Sequence, residues 1–154
     1  MSVTANKNFL SPTGFKVTIN SKAFANMEYF CTEATLPAVN LAGVSLPFRG
    51  NANSVPGDRI EYAPFDMKFI ISENMENYLE LFNWMKQNQA QDVWTKSDVI
   101  LSILSSKNNS TRQIRYVDAF PVAIGSLQLH TQNTDVEYLT LDASFNYTYF
   151  EFLK

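Results

Sequence analysis

Between Val136 and Phe152 the chain reads VEYLTLDASFNYTYFEF, with Leu139, Leu141, Ala143, Phe145, Tyr147 and Tyr149 on one parity and Thr140, Asp142, Ser144, Asn146 and Thr148 on the other. Successive side chains point to opposite faces of a strand, so a period of two sustained this long implies a sheet with one buried and one wet face. Strands commonly run about 5–6 residues, and this run is long enough to cross a whole sheet. The rest of the chain must supply its partners.

Several segments do so. Phe15, Val17 and Ile19 alternate with Lys16, Thr18 and Asn20 after a polar arm, residues 1–13, that ends in a Ser-Pro-Thr-Gly turn. Met27–Thr35 reads as a second strand that stops at Leu36-Pro37, because proline has no amide to give a ladder. Phe65, Met67, Phe69 and Ile71 alternate with Asp66 and Lys68, and Pro64 marks the start of that strand. Val99, Leu101 and Ile103 form another, paired through the polar turn Lys107–Ser110 with a strand from Arg112 to Phe120. Phe120-Pro121 to Gly125 reads as a kinked connection, and Ser126–His130 as a short strand before a turn at Thr131–Asp135.

Residues 41–59 have a different character. Leu41, Val44, Leu46 and Phe48 are apolar, yet Gly43, Pro47, Gly50, Pro56 and Gly57 interrupt them, so the expectation is a projecting loop with no single regular element. It has an outgoing strand-like arm, a polar tip from Gly50 to Ser54, and a return from Val55 to Arg59. Apolar surface left in water costs on the order of 25 cal/mol per Å², so another part of the chain or another subunit is expected to cover it.

One helix stands out, from about residue 75 to 89. Ser72 or Asn74 can cap it, and Tyr78, Leu81, Phe82 and Met85, joined by Leu79 and Trp84, form an apolar stripe that must lie on the sheet or close a barrel end. Strands and helices do not alternate, so the fold class is mainly β: an antiparallel β-barrel or sandwich with one flanking α-helix. At 154 residues the chain is expected to form one domain.

Composition excludes most chemistry. Twelve Lys and Arg against 15 Asp and Glu give a net charge of -3, with the basic residues scattered, so the chain lacks the footprint of a nucleic-acid binder. His130 is the only histidine, which removes most metal sites and Ser-His-Asp arrangements, and its place beside a turn suits a surface residue. Cys31, the only cysteine, lies in the apolar run MEYFC and reads as a buried structural thiol. Asp58, Glu61, Asp66, Glu73, Glu76 and Glu80 offer carboxylates that could include a glycosidase-type pair, but spacing alone does not show that any two converge. No phosphate loop, dinucleotide fingerprint or zinc spacing is present, so no cofactor is expected and the protein reads as a non-enzyme. The N-terminus lacks a secretory pattern and no stretch reaches the ~20 apolar residues of a membrane span. A soluble protein without a membrane anchor is expected.

The order of these features resembles the tail-tube proteins of contractile-tailed bacteriophages. The matching features are the strand GFKVTI, the aromatic-Cys strand ending in Leu36-Pro37-Ala38, the loop with Pro56-Gly57-Asp58-Arg59, and the helix with Tyr78, Phe82 and Trp84. Asp118-Ala119-Phe120-Pro121, Ile124-Gly125-Ser126 and the closing Phe145–Tyr149 alternation continue the match over most of residues 15–150. The resemblance implies a subunit of stacked hexameric rings forming the inner tube of a contractile tail, similar in fold to the tubes of type VI secretion and contractile bacteriocins. It implies a virion protein assembled in the host bacterial cytoplasm, partnered by itself and by sheath, baseplate and tape-measure proteins, with DNA passing through the lumen without specific binding.

On that reading the subunit interface lies on the loop, at Leu46, Pro47, Phe48, Arg49, Val55, Pro56, Gly57, Asp58 and Arg59. The lumen or shared-wall face is the polar side of the last strand, Thr140, Asp142, Ser144, Asn146 and Thr148, for which ordinary solvated surface is the competing reading. A baseplate or tube-initiator or terminator protein of the same fold is the nearest alternative. A soluble β-sandwich that binds sugar or peptide through aromatics such as Trp94 or Tyr116 is a more distant one.

Overall fold

The computed structural model describes residues 10, 12–19, 31–90, 94–132 and 138–153. The core is laid down by the pairing of β5 (Phe65–Ile70) with β8 (Thr140–Asn146). Phe65, Met67 and Phe69 stand opposite Phe145, Ala143 and Leu141, and all six are buried. Fully burying side chains of this size stabilises a fold by about 1.5–3 kcal/mol each. The intervening residues Asp66, Lys68, Asp142 and Ser144 share the opposite face, as the alternation requires.

Around this pair the remaining strands form one antiparallel path, β1-β6-β7-β8-β5-β2, with β9 also on β7. These are β1 (Phe15–Ile19), β2 (Cys31–Ala34), β6 (Ser97–Leu104), β7 (Ser110–Ile124) and β9 (Tyr149–Phe152). The two ends of the path, β1 and β2, come together, so the sheet curls into a barrel. Val17, Val99, Leu101, Ile114 and Tyr116 fill the interior.

The longest strand is β7, at 15 residues, and it organises the sheet. One edge pairs with β6; the other pairs with β9 and then with β8. Two bulges bend it between these partners. At the first, Asp118 adopts a left-handed φ of 55° and donates its amide to Asp98 Oδ1 at 3.1 Å. The inward parity changes there from Ile114 and Tyr116 to Ala119 and Pro121. The second lies between Pro121 and Ala123. A bulge adds an unpaired residue and local twist, which is how a strand turns a barrel corner.

Four expectations need correction. The C-terminal run is not one strand: β8 ends at Asn146 and β9 begins at Tyr149, although both follow the same edge of β7 and the register carries across the break as far as Pro121. Tyr149 is exposed and Phe150 packs on Tyr62 and Tyr116, so the inward parity is lost after Tyr147. Phe120–Gly125 is not a connection, because β7 continues to Ile124 with Pro121 at the bulge, where a missing amide is tolerated. Ser126–His130 forms no strand. The stretch 41–59 is regular rather than loop-like: β3 (Val39–Phe48) and β4 (Asn51–Tyr62) form a long hairpin.

The helix, α1 (Glu76–Ala90), packs on β7 and buries Asn77, Leu81 and Trp84, whereas Leu79 and Phe82 are exposed. Ser72 caps it, accepting the Glu76 amide at 3.1 Å. Asn77, a polar residue on the buried face, donates Nδ2 to the Ile70 carbonyl at 2.7 Å and accepts the Tyr78 amide at 3.0 Å. It stitches the helix start to the end of β5. Residues 1–9 and 11 of the expected arm, 27–30 of the second strand, 136–137 of the last run and 133–135 of the turn before it lie outside the described residues.

Candidate functional site: the hairpin and the polar sheet face

Hairpin β3–β4 is a two-stranded sheet of its own. At about 3.4 Å per residue, its ten-residue first strand spans roughly 30 Å. In its outer part Val44 stands opposite Val55, Leu46 opposite Asn53 and Phe48 opposite Asn51, on one face. Ser45 with Ser54 and Pro47 with Ala52 make the other. Val39, Leu41, Val44, Leu46, Phe48 and Ile60 are all exposed, Phe48 at 71%.

Two glycines make this shape possible. Gly50, in the turn with Arg49, has φ of 83°, a conformation that favours glycine. Gly57 sits where the register shifts between Leu41 and Gly43, and a Cβ there would stand 2.2 Å from the Ala42 carbonyl oxygen. Pro56-Gly57-Asp58-Arg59 therefore marks a bulge that only glycine permits. All nine residues named for the interface, Leu46, Pro47, Phe48, Arg49, Val55, Pro56, Gly57, Asp58 and Arg59, lie on this hairpin or its turn. Val55 and Gly57 are half-buried and the other seven exposed.

The second candidate surface is the outer face of β2-β5-β8. Thr140, Asp142, Ser144 and Asn146 all lie on β8, none of them fully buried; Thr148 falls in the break, where its amide donates to the Val117 carbonyl at 3.0 Å. Opposite Asp142 stands Lys68, which also pairs with Glu33 of β2: the distances from Nζ are 3.3 Å to Glu33 and 3.7 Å to Asp142. The Glu33 carboxylate foremost, then Asp142, holds the Lys68 ammonium above the ordinary lysine value. Ser144 Oγ donates to Asp66 Oδ1 at 2.5 Å. Glu33, Asp66 and Lys68 were not singled out as face residues from sequence, though the polar parity of β5 carried two of them.

Little here suits catalysis. Asp58 and Glu61 are on the hairpin, Asp66 is on β5, and Glu73, Glu76 and Glu80 gather at the helix start. Among the described residues no group of three or more His, Cys, Asp or Glu is placed to hold a metal ion. His130 is exposed beside Gln128. Cys31 is half-buried on the edge strand β2, less enclosed than expected, and burial pushes its thiol up to about 11. Tyr116, named as a surface aromatic of a binding module, is fully buried against Phe65, their ring centroids 4.5 Å apart. Trp94 is exposed beside a shallow groove with Lys96 and Phe120. No helix among the described residues is long and apolar enough to cross a membrane.

A curled antiparallel barrel with one flanking helix and a long projecting hairpin is the fold of tube-forming proteins of contractile injection systems. It superposes with a TM-score of 0.76 on a chain of the sheath/tube terminator of the PVC extracellular contractile injection system, at 14% identity, covering 97% of this chain and 100% of that one. The tube-terminating cap of the anti-feeding prophage gives a TM-score of 0.73 at 14% identity, covering 99% and 98%. Hcp1 from Flavobacterium johnsoniae gives 0.60 at 12% identity, covering 91% and 94%. Comparison with curated protein sequences gives no match. The chain belongs to the phage tail tube protein family, whose model matches residues 2–153. That family is structural and not enzymatic.

Proposed function

We propose that this protein is the repeating subunit of the inner tube of a contractile phage tail, forming hexameric rings that stack into a conduit for DNA during ejection. The observation that carries the reading is the β3–β4 hairpin. It exposes a row of large apolar side chains and, among the described residues, its two strands pair only with each other, so its cost in water is offset when a neighbouring copy covers it. The nine hairpin residues named above form that contact. The polar β2-β5-β8 face, with Asp142, Ser144 and their neighbours, lines the lumen, where an uncharged-to-acidic wall does not retain a polyanion. Sheath, baseplate and tape-measure proteins are the partners, the chain forms one domain with an N-terminal arm, and assembly takes place in the host cytoplasm.

Within the same class a tube terminator is the second reading, favoured by the likeness to the cap and terminator structures. Sedimentation and negative-stain microscopy of the purified protein separate the two. A tube subunit gives rings and tubes of repeating height; a terminator gives single rings that bind a tube end. A monomer at high concentration that forms neither, even with a baseplate-like nucleator, rules out both.

A further inference from the structure

Helix α1 has two apolar sides, and the barrel uses one of them. Asn77, Leu81 and Trp84 face inward and are buried. Leu79 and Phe82, 51% and 41% exposed, lie on the opposite side, in line with Lys86 and with Met75 just before the helix start. Positions 75, 79, 82 and 86 follow one another at intervals of four, three and four residues, the spacing with which one helix meets another along a coiled-coil seam. This seam is already ordered. The Tyr78 ring stacks on Phe82 with centroids 6.4 Å apart, Lys86 Nζ stands over the same Phe82 ring at 5.7 Å, and the Met75 carbonyl accepts the Leu79 amide at 2.9 Å. The charges are graded along the helix: from Glu73 to Ala90 they are Glu73, Glu76, Glu80 and then Lys86, acidic at the start and basic toward the end.

We infer that this seam receives the same seam of a second copy of the chain, the two α1 helices lying antiparallel about a twofold axis between Leu79 and Phe82. Each Leu79 then meets the other copy's Phe82, and each Lys86 reaches the acidic start, Glu73 and Glu76, of the other helix. A parallel arrangement would set acid beside acid and lysine beside lysine, so charge selects the antiparallel one, in which the helix dipoles also oppose. One helix of 15 residues gives a seam of about 22 Å, and such a contact falls below the roughly 1,200 Å² of stable complexes, so the pair is weak and reversible. A twofold contact closes on itself and adds no length to a tube. The pair therefore belongs to the unassembled protein, where it shelters the seam, and it stands independently of the tube reading. Trp84 packs on Phe145 from the inner side of β8, so the seam and the polar β2-β5-β8 face lie on opposite sides of that strand.

Sedimentation equilibrium at low salt, where charge contacts are least screened, tests it. A Phe48→Asp background removes the hairpin contact and so separates pairing from ring formation. The average mass should rise from monomer toward dimer with protein concentration. Leu79→Asp and Phe82→Asp, both at exposed positions, should leave a monomer at every concentration, with an unchanged melting temperature as the check on folding. Lys86→Glu alone, and Glu73→Lys with Glu76→Lys, should each raise the dissociation constant several-fold. Combining all three changes in one chain should restore pairing, which unspecific apolar association would not do. Protein that stays monomeric up to its solubility limit overturns the pairing, as does a dimer indifferent to Leu79→Asp, Phe82→Asp and the charge reversals. Neither result touches the tube reading, which is decided by whether the chain with Phe48 intact forms rings.

Discussion

Tyr116 is buried among Phe65, Tyr147 and Phe150, and its hydroxyl has no hydrogen-bond partner among the described residues. An unsatisfied buried hydroxyl costs about 1–3 kcal/mol, so Tyr116→Phe, which keeps the ring, should stabilise the monomer. With roughly 2–4 °C per kcal/mol for a domain of this size, thermal melting should rise by a few degrees; a fall would show that the hydroxyl is satisfied in solution. Its neighbour Tyr147 differs, since its hydroxyl donates to the Ala63 carbonyl at 2.7 Å. Burial pushes Tyr147 up to about 12, and burial raises Tyr116 further. In the unfolded chain these phenols ionise near their ordinary value of about 10, while the folded protein keeps its protons. The unfolded state then binds fewer protons, so stability is full below pH 10 and declines as pH rises toward 12. Denaturant titrations across that range should show the decline, and Tyr116→Phe should make it shallower.

At the scale of elements, β7 is the strand on which the barrel turns, and its corner is set by Asp98. The Asp98 carboxylate accepts the amide of left-handed Asp118 and faces Arg115, which also pairs with Glu151 of β9. Asp98→Ala leaves that amide without its partner at the bulge. The loss of one charge-assisted bond, about 1.5–3 kcal/mol, should lower the melting temperature by several degrees, whereas an unchanged melt would mean that the bulge holds itself. This corner also shows where the sequence is legible and where it is not. The core faces of β5, β6 and β8 follow from alternation, because each lies flat against one interior. Alternation fails at β7 and after Tyr147, where bulges and a break shift the parity, and the shift depends on partners distant in sequence. Pro121 looks like a strand end and is a bulge residue. Asn77, absent from the apolar stripe, is buried all the same because Ile70 and Tyr78 satisfy its amide. The apolar character of the hairpin is legible in sequence, but its regularity is hidden by Gly57, whose role appears only when Ala42 is seen opposite it. Gly57→Ala should therefore spare the barrel and disturb the hairpin: the melting temperature stays within a degree or two of the parent, while sedimentation shows assembly lost. Wild-type assembly in that variant would separate the bulge from the interface.

For the whole molecule, the decisive property is what the β2-β5-β8 face does when many copies repeat it. Among the described residues of this face Lys68 is the one cation, paired with Glu33 and Asp142, and Asp66 lies on the same face, so the face is acidic in an already acidic chain. In one copy this is a small surface with little effect on a polyanion. In the proposed rings it becomes a continuous wall around a passage, where fields from neighbouring copies add and low-dielectric walls focus them. The wild-type protein should thus show no DNA retention in either form, even at low salt, where phosphate contacts are strongest. Changing Asp66 and Asp142 to Lys reverses the sign of the face without touching the core partners Phe65, Met67, Leu141 and Ala143. If the face lines the lumen, the variant should retain DNA far more strongly as tubes than as unassembled protein, and retention should weaken steeply with added salt. Equal retention by tubes and free subunits would place the face on an outer surface, as would tubes that bind DNA only along their exterior in micrographs. The hairpin residues are untouched by these changes, so tube formation itself serves as the control that separates the position of the wall from the ability to build it.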